Sequence, residues 1–389
     1  MRIGIDLRWL QRAYLNSPEG ALGGMGAVIE NLWRGLRGVA PDATLVGLLN
    51  KGPVPAPLSA LAGTGSRSEL HAIGLHGLFP PLDRRWRYAD VAHFIEAECG
   101  LGLALRRLRL DVLHMADHMP PPRGVGCPTV ATLHEMFVYA RDGWLVHRML
   151  HDRIGRADCI VSVSNAIGKD YAANHNRRGA KLRVVQNGID LSIFRPDGDG
   201  AESFGLPSSY LLHGGLLTPR KNPHGIFAAL GLLRKKREIP TFVSVGPYQV
   251  IPGMREHLML LARDAGIADK FIPLDRGVSA RGMASLYRGA RGLIFPSLKE
   301  GFGLPAIESL ACGTPCVVAQ VGGLIEVAGD LGLFVDPTDP ASIADGIARL
   351  LDDETHRQRV RTEGPEWAKR FSYQEMARGY LAIYRELIR

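Results

Sequence analysis

Two glutamates, Glu300 and Glu308, stand on either side of a short glycine-rich segment whose pattern could bind a charged ligand. The segment Gly-Phe-Gly-Leu-Pro at 301–305 predicts a loop followed by a helix, because proline is tolerated in the first helical turn. The free N–H groups and the positive dipole end of that helix would favour a bound phosphate. We place Glu308 on the first turn, so that two carboxylates flank the phosphate position and can accept hydrogen bonds from sugar hydroxyls.

Arg220 and Lys221 supply adjacent positive charges shortly after a predicted strand at 210–213. Arginine offers a planar fork of donors and lysine a point charge, and together they could neutralise a departing diphosphate without a metal ion. Taken singly, the cation pair and the two glutamates would be ordinary exposed side chains. Their common position in loops that follow strands favours a ligand site, because parallel α/β sheets bind ligands beyond the carboxyl ends of their strands.

Short β-rich apolar runs alternate with helical stretches along the chain, which is typical of parallel sheets covered by helices. The predicted strands are 2–7, 45–49, 112–114, 129–133, 159–163 and 183–185, followed by 210–213, 241–245, 271–273, 293–295 and 316–319. The pattern restarts after a glycine- and aspartate-rich linker near 195–205. We therefore predict an α/β fold with domains at 1–195 and 196–370, and a final helix within 371–389 that packs back on the first domain.

At 389 residues the chain exceeds the usual size of a single hydrophobic core, so its length also predicts two domains. Hydrophobic residues make up 46% and charged residues 22%, and no apolar run is long enough for a membrane span. Arg2, Asp6 and Arg8 interrupt the first apolar stretch, which favours a buried strand over a secretory signal and predicts a cytoplasmic protein. The five cysteines lack Cys-x-x-Cys spacing and are expected to be reduced core thiols.

The net charge of +8 comes almost entirely from the first half of the chain. Residues 1–195 contain 24 Lys and Arg against 17 Asp and Glu, whereas residues 196–389 contain 23 against 22. The sequence lacks the aromatic and basic interleaving of single-strand binders, so nucleic acid is not expected as a partner. Two arginine clusters either form a solvated helix surface or contact an anionic membrane surface. They are Arg84, Arg85 and Arg87 around Trp86, and Arg106, Arg107 and Arg109.

Three longer motifs together resemble one enzyme family. They are Gly-x-Leu-x-Pro-Arg-Lys-Asn at 215–222, Glu-Gly-Phe-Gly-Leu-Pro-Ala-Ile-Glu-Ser-Leu-Ala-Cys-Gly-Thr-Pro at 300–315, and Val-x-Asn-Gly-Ile-Asp-x-x-x-Phe-Arg-Pro at 185–196. With Ile-Gly-Ile-Asp at 3–6 and Gly-Gly-Met-Gly at 23–26, they are similar to the retaining family 4 glycosyltransferases, over about residues 1–340. The resemblance implies the GT-B architecture, two facing Rossmann-like domains with a cleft between them. It also implies a nucleoside diphosphate sugar as co-substrate and no cofactor.

The resemblance implies roles for individual residues as well. In the second domain these are Arg220 and Lys221 for the donor diphosphate, Glu300 for the transferred sugar, Glu308 for the ribose hydroxyls, and the backbone of Gly303 and Leu304 for the phosphates or the sugar. In the first domain, Gly24 and Gly26, in a loop, would face the diphosphate across the cleft, and His134 would lie near the transferred sugar. From its residue type alone, His134 after a predicted strand is more readily explained as a hydrogen-bonded structural histidine. No metal ligand is expected.

The implied reaction transfers a hexose, with retention of anomeric configuration, to a glycan or lipid-linked glycan at the cytoplasmic side of a membrane. A double displacement would need a carboxylate nucleophile, for which Glu300 is the candidate. The resemblance instead favours front-face transfer, in which Arg220 and Lys221 support the departing phosphate while it helps to deprotonate the acceptor. The Pro-Arg-Lys-Asn form is most similar to members that use GDP-mannose, and UDP-sugars are the alternative donors.

Other patterns in the sequence are partly similar to the motifs of different protein classes, but none of them is sufficient to predict such a class. Asp-Gly-Asp at 197–199 has the form of a metal-binding motif, but it lies in the predicted linker, where glycine and aspartate are common turn residues. His114 and His118 follow a strand rather than a helix, so their spacing does not predict a metal site. A nucleotide-dependent oxidoreductase would need a complete Gly-x-Gly-x-x-Gly fingerprint, and a non-catalytic sugar-nucleotide or membrane-binding module would not need both glutamates and both cations. The family resemblance also implies that acceptor choice depends on N-terminal loops, here at 10–22 and 75–87.

Overall fold

The computed structural model of the chain describes residues 1–16, 22–63, 67–73, 101–117, 119–135, 153–175 and 179–389. These residues form two compact units. Unit 1 takes Met1–Asn16, Leu22–Gly188 and Tyr373–Arg389, and unit 2 takes Ile189–Ser372. Each unit is built on one parallel β-sheet.

The sheet of unit 1 has seven strands in the described residues. They are β1 (Arg2–Asp6), β2 (Thr44–Asn50), β3 (Ser68–Ile73), β4 (Val112–Met115), β5 (Thr129–Leu133), β6 (Cys159–Ser162) and β7 (Lys181–Val184). Their order is β3-β2-β1-β4-β5-β6-β7, and every neighbouring pair is parallel. The order reverses between β1 and β4, and doubly wound folds bind ligands at the carboxyl ends of the strands beside such a reversal.

Helices lie between several of these strands in the described residues. The described helices before β7 are α1 (Arg8–Asn16), α2 (Gly23–Val39), α3 (Ala56–Ala62), α4 (Leu101–Arg106) and α5 (Asn165–Asn174). All residues of β4 and β5 are buried. Continuous burial is expected for strands of a parallel sheet that is covered on both faces, which is why these strands read as apolar runs.

Unit 2 has a six-stranded parallel sheet of the same kind. Its strands are β8 (Tyr210–Gly214), β9 (Thr241–Val245), β10 (Phe271–Leu274), β11 (Gly292–Phe295), β12 (Cys316–Ala319) and β13 (Gly332–Val335), in the order β10-β9-β8-β11-β12-β13. Its helices are α6 (Pro223–Arg234), α7 (Met254–Asp264), α8 (Ala280–Gly289), α9 (Leu304–Ala311), α10 (Gly322–Ala328), α11 (Pro340–Asp352) and α12 (Glu354–Ala368). Because β8 and β11 are neighbours, the loops that follow them start side by side.

The last helix, α13 (Tyr373–Ile388), belongs to unit 1 and packs against α2. Gly35 of α2 permits this approach, because a Cβ there would lie 2.6 Å from the carbonyl oxygen of Tyr373. The hydroxyl of Tyr384 lies 2.6 Å from Nδ1 of His114, which is fully buried on β4. Burial lowers the pKa of His114 to about 3, so its imidazole is neutral. His114 therefore ties α13 to the sheet.

The prediction of two Rossmann-like α/β folds is confirmed, and each predicted strand and the final helix have a counterpart in the structure. One strand is displaced, since β7 covers Lys181–Val184 instead of 183–185. Two strands, β3 and β13, were not predicted. Both lie at the edge of their sheet, where a strand is only partly buried and its apolar pattern is weaker. Residues 10–16 of the predicted acceptor loop belong to α1.

Some predictions concern residues outside the described ranges. They are Cys99, His118, Arg84, Arg85 and Arg87 with Trp86, the loop at 75–87, and residues 17–21 of the loop at 10–22. Cys159, Cys312 and Cys316 are buried free thiols, as predicted, whereas Cys127 is a free thiol that is only half-buried. Among the described helices, none has the length and apolar character needed to cross a bilayer.

Candidate active site

The two cations lie on a tight turn that follows β8. Pro219–Lys221 form a single 3-10 turn, and Asn222 follows it in the left-handed conformation, with φ +63°. The Asn222 carboxamide oxygen accepts a hydrogen bond of 3.1 Å from the backbone N–H of Gly225 and caps α6. Its amide donates to the carbonyl oxygens of Pro296 and Pro337, at 3.2 and 2.6 Å. Asn222 thus ties the turn after β8 to the segment after β11.

Glu300 lies on the loop that follows β11, and the start of α10 packs on this loop. A Cβ at Gly322 would collide with the carbonyl oxygen of Glu300, and a Cβ at Gly323 would collide with that of Gly301. Gly322 also has φ +51°, a conformation that favours glycine. The two glycines at the start of α10 therefore help to position Glu300.

Arg220 and Lys221 bind the same carboxylate oxygen of Glu300. Nη1 of Arg220 lies 3.0 Å from Oε2, and Nζ of Lys221 donates to the same atom. The side chains of Lys221 and Glu300 are only 11% and 12% exposed. Burial disfavours the charged carboxylate, but the two cations outweigh it and hold the pKa of Glu300 below its usual value. Glu300 is therefore an ionised carboxylate between two cations.

An aromatic ring and a neutral histidine also lie near Lys221. Its Nζ lies 4.0 Å from the centroid of the Phe295 ring, which is a cation–π contact. His213 stacks on Phe295 with ring centroids 5.4 Å apart, and its Nδ1 lies 2.9 Å from the carbonyl oxygen of Ile294. Since a carbonyl only accepts, Nδ1 bears the proton. Burial lowers the pKa of His213 to about 3, so this buried ring adds no positive charge beside Lys221.

The helix start after Glu300 has the predicted form. Gly303 is the N-cap of α9, and Leu304 and Pro305 are its first residues. Gly303 has φ +103°, and a Cβ there would collide with the side chain of Leu324, so both backbone conformation and space require glycine. The first N–H groups of an α-helix have no partner within the helix, and they are the donors that a phosphate would use.

Glu308 lies on the second turn of α9, not on the first as predicted, because the helix begins at Leu304. Its Oε2 accepts a hydrogen bond of 2.9 Å from the hydroxyl of Tyr287, on α8. Burial raises the pKa of Glu308 to about 7, and the hydrogen bond from Tyr287 opposes this rise. The two glutamates therefore differ, since Glu300 is held ionised and Glu308 titrates near neutral pH. Carboxylates whose surroundings shift their pKa values in opposite directions are common at functional sites.

His134 belongs to unit 1, where it directly follows β5. Its Nε2 lies 2.8 Å from the carbonyl oxygen of Ala116, so this nitrogen bears the proton. Burial lowers the pKa of the imidazole, although the hydrogen bond to Ala116 opposes this. His134 is a neutral, hydrogen-bonded histidine at the carboxyl edge of its sheet, and this geometry fits both the structural and the sugar-facing interpretation.

Gly24 and Gly26 lie on the first turn of α2, although we expected them in a loop. Gly24 is exposed and Gly26 is buried. A Cβ at Gly26 would lie 3.0 Å from that of Leu22 and 3.4 Å from that of Ala13, so helix packing already accounts for this glycine. The role in diphosphate binding stays a prediction for both residues.

Sequence reasoning missed two buried groups near the predicted site residues. Tyr287 contacts Glu308 in unit 2, and in unit 1 Asp117 follows β4. Burial and the charge of Asp6 raise the pKa of Asp117, while Asp6 is itself paired with Arg8 at 2.6 Å. Asp6 is part of the Ile-Gly-Ile-Asp motif, but Tyr287 and Asp117 stand in no motif. Only the fold places them beside the motif residues.

Two family models match consecutive parts of the chain. Residues 22–193 match Glycosyltransferase Family 4, and residues 202–367 match Glycosyl transferases group 1. The chain belongs to the family 4 glycosyltransferases. The resemblance seen in the three motifs is thereby confirmed.

Curated relatives of the chain include two D-inositol 3-phosphate glycosyltransferases. The protein of Acidothermus cellulolyticus is 36% identical over 254 residues, which cover 61% of this chain and 55% of the relative. The protein of Salinispora arenicola is 32% identical over 254 residues, covering 60% and 56%. The chain thus spans about half the length of the curated relatives that it matches.

Solved structures match the whole chain at lower identity. Sucrose-phosphate synthase from Thermosynechococcus elongatus has a TM-score of 0.77 at 20% identity, with 100% of this chain and 99% of that chain covered. HepE from Anabaena, in complex with UDP and glucose, has a TM-score of 0.74 at 16% identity and full coverage of both chains. At these identities the likeness concerns the fold, and it confirms the predicted fold class.

Proposed function

We propose that this glycosyltransferase transfers a hexose from a nucleoside diphosphate sugar to a hydroxyl group of a glycan or lipid-linked glycan. The main support is the convergence of Arg220 and Lys221 on one oxygen of Glu300. The two cations can bind a diphosphate, and the carboxylate can bind sugar hydroxyls. These groups lie together because β8 and β11, the strands before them, are neighbours in the sheet. An oxidoreductase would not require this combination.

In the donor complex that we propose, each group has one task. The diphosphate binds Arg220 and Lys221, and the backbone N–H groups of Gly303 and Leu304 at the start of α9 complete its site. Oε1 of Glu300, which neither of the two cation contacts uses, accepts hydrogen bonds from hydroxyls of the transferred sugar. Glu308 accepts from the ribose hydroxyls. No cofactor takes part.

Transfer proceeds with retention and without a metal ion. The two cations offset the charge that develops on the departing diphosphate, which is the task that a divalent ion performs in other transferases. Front-face attack fits the surroundings of Glu300 better than covalent catalysis, since two cations on the carboxylate make it a weaker nucleophile. NMR of the first product formed should give the donor's anomeric configuration, and EDTA should leave the rate unchanged. Inversion, or a glycosyl-enzyme adduct on Glu300 in the mass spectrum, would refute this mechanism.

GDP-mannose is the first candidate donor, on the strength of the Pro-Arg-Lys-Asn motif at 219–222. A UDP-hexose is the second candidate, because the similar HepE structure contains UDP and glucose. Release of nucleoside diphosphate from GDP-mannose, GDP-glucose, UDP-glucose and UDP-galactose separates base from sugar preference. The experiment uses acceptors that include inositol 3-phosphate, for which the curated relatives are named. Activity with UDP-hexoses alone would overturn the mannosyl assignment.

The acceptor is presented at the cytoplasmic face of a membrane, which the basic first half of the chain contacts. Within the described residues, Arg106, Arg107 and Arg109 are exposed near Leu103, whose side chain is 62% exposed. Exposed cations beside an apolar side chain suit an anionic interface. Cosedimentation with anionic vesicles at low salt should occur and should weaken when the three arginines are replaced by glutamine. A protein that ignores such vesicles has no membrane contact of this kind.

A further inference from the structure

Tyr287 is a fully buried residue of α8 that reaches one of the proposed donor-binding groups. Its hydroxyl lies 2.9 Å from Oε2 of Glu308. Burial and the nearby charge of Glu308 raise the pKa of Tyr287 well above its ordinary value, so the phenol keeps its proton. Tyr287 is therefore the donor to Glu308 whenever that carboxylate is ionised.

The position of the Tyr287 ring is fixed by its surroundings. The hydroxyl of Thr314 donates to the backbone oxygen of Tyr287 at 2.8 Å, and the ring of Phe194 lies 6.2 Å away between centroids. Gly214, at the end of β8, leaves space for the phenol, because a Cβ there would lie 2.9 Å from the hydroxyl oxygen. A buried hydroxyl that is held in this way restricts the rotamer of the glutamate it binds.

We propose that Tyr287 is a positioning residue that holds Oε2 of Glu308 and thereby presents Oε1 to a ribose hydroxyl of the donor nucleotide. The inference rests on the proposed function, since it assumes a nucleotide donor. It adds a requirement that no motif contains: recognition of the ribose depends on a residue of α8 as well as on the helix that bears Glu308. The nucleotide would contact Glu308, while Tyr287 acts through that side chain.

The test compares nucleoside diphosphates that differ only in one ribose hydroxyl. Affinities for the preferred nucleoside diphosphate and for its 2′-deoxy and 3′-deoxy analogues are measured by calorimetry, in the wild type and in Tyr287→Phe. We expect the wild type to prefer the ribonucleotide over one deoxy analogue by about tenfold or more, as for a hydrogen bond to a charged group. In Tyr287→Phe this preference should fall towards one, while affinity for that deoxy analogue stays unchanged.

Tyr210→Phe is the matched control. Tyr210 is also a buried tyrosine of unit 2, and its hydroxyl donates to the backbone oxygen of Leu286 at 2.6 Å, next to Tyr287 in the chain. Loss of that hydroxyl should leave the ribose preference intact. A Tyr287→Phe protein that keeps the full preference, or that loses affinity for ribose and deoxyribose forms equally, overturns the inference, because the second result indicates a merely structural role.

Gly214→Ala provides a second route if Tyr287→Phe does not fold. This substitution keeps the phenol but displaces its hydroxyl, so it should reduce the ribose preference in the same way. An unchanged preference in a folded Gly214→Ala protein contradicts the inference.

A wild type that binds nucleoside diphosphates but does not distinguish ribose from deoxyribose contradicts only the role of Glu308 and Tyr287. A wild type that binds no nucleoside diphosphate overturns the proposed function, and the inference falls with it.

Discussion

Lys221 and Glu300 are 79 residues apart in the chain and form an almost completely buried ion pair through Nζ and Oε2. An exposed pair of this type contributes little to stability, whereas removal of one partner of a buried pair leaves an uncompensated charge. Arg220 shares the same oxygen of Glu300, so the carboxylate keeps one cation if Lys221 is lost. This arrangement makes Lys221 a residue that can be tested for chemistry without abolishing the local structure.

Replacing Lys221 with alanine should lower the transfer rate by about a hundredfold, on the order of 3 kcal/mol, as for loss of one group that stabilises transition-state charge. The preference between donor sugars that differ at one hydroxyl should change much less, because Glu300 remains in place. Steady-state rates with two epimeric donors measure both quantities. Lys236→Ala, which removes an exposed lysine of the same unit, should have no effect on either. Unchanged turnover of Lys221→Ala is incompatible with the proposed role.

Nucleotide affinity should depend on pH through Glu308. Its pKa is raised to about 7 by burial, so it is protonated below that pH and ionised above it. An ionised carboxylate is the stronger hydrogen-bond acceptor, and the contribution of Glu308 to ribose binding should therefore increase as pH rises through about 7. We expect the affinity ratio of wild type to Glu308→Gln for a nucleoside diphosphate to increase from about pH 6 to about pH 8.5.

The Glu308→Gln protein is also the control for the diphosphate of the ligand, which titrates in the same pH range. Any pH dependence that is common to both proteins belongs to the ligand or to other residues. A ratio that is constant over the whole range would mean that Glu308 does not titrate there or does not bind the nucleotide. Affinity for a ribose phosphate analogue without a base would then show whether the site recognises ribose at all.

Gly303→Ala should destabilise unit 2 by about 2 to 4 kcal/mol, since it adds left-handed strain and a steric collision with Leu324. The matched control is Gly253→Ala. Gly253 is likewise the N-cap of a helix, with φ +74°, but a Cβ there would meet no atom within 4 Å. Gly253→Ala should lower the free energy of unfolding by about 1 kcal/mol, because only the left-handed backbone conformation is strained. Chemical denaturation measures both values, and equal costs would contradict the steric explanation.

The order of elements and most strand positions followed from the sequence, because central strands of parallel sheets are short apolar runs separated by helical patterns. The edge strands β3 and β13 could not be predicted from the sequence, because they are only partly buried and their apolar pattern is weak. The displacement of Glu308 to the second turn has a similar origin. The sequence predicts a helix near Pro305, but the exact start depends on the left-handed conformation of Gly303, which is a property of the folded loop.

Only those residues of the candidate site that belong to sequence motifs could be predicted. Arg220, Lys221 and Glu300 could be assigned to loops after strands, but the ion pair between them depends on β8 and β11 being neighbours, a matter of strand order. Tyr287 could not be found in this way. It is 21 residues from Glu308, on a different helix, and its surroundings in the sequence are those of any amphipathic helix.

The central claim is that unit 2 binds the nucleoside diphosphate part of a sugar donor through Arg220, Lys221 and Glu300. The most direct measurement is thermal unfolding in the presence of GDP, UDP, ADP and, as a control, NAD, for the wild type and for Lys221→Ala. A ligand at about a hundred times its dissociation constant stabilises the folded protein by roughly 2.7 kcal/mol. We predict selective stabilisation by one nucleoside diphosphate in the wild type and a much smaller effect in Lys221→Ala. Stabilisation by NAD alone, by no nucleotide, or to the same extent in both proteins would contradict the claim.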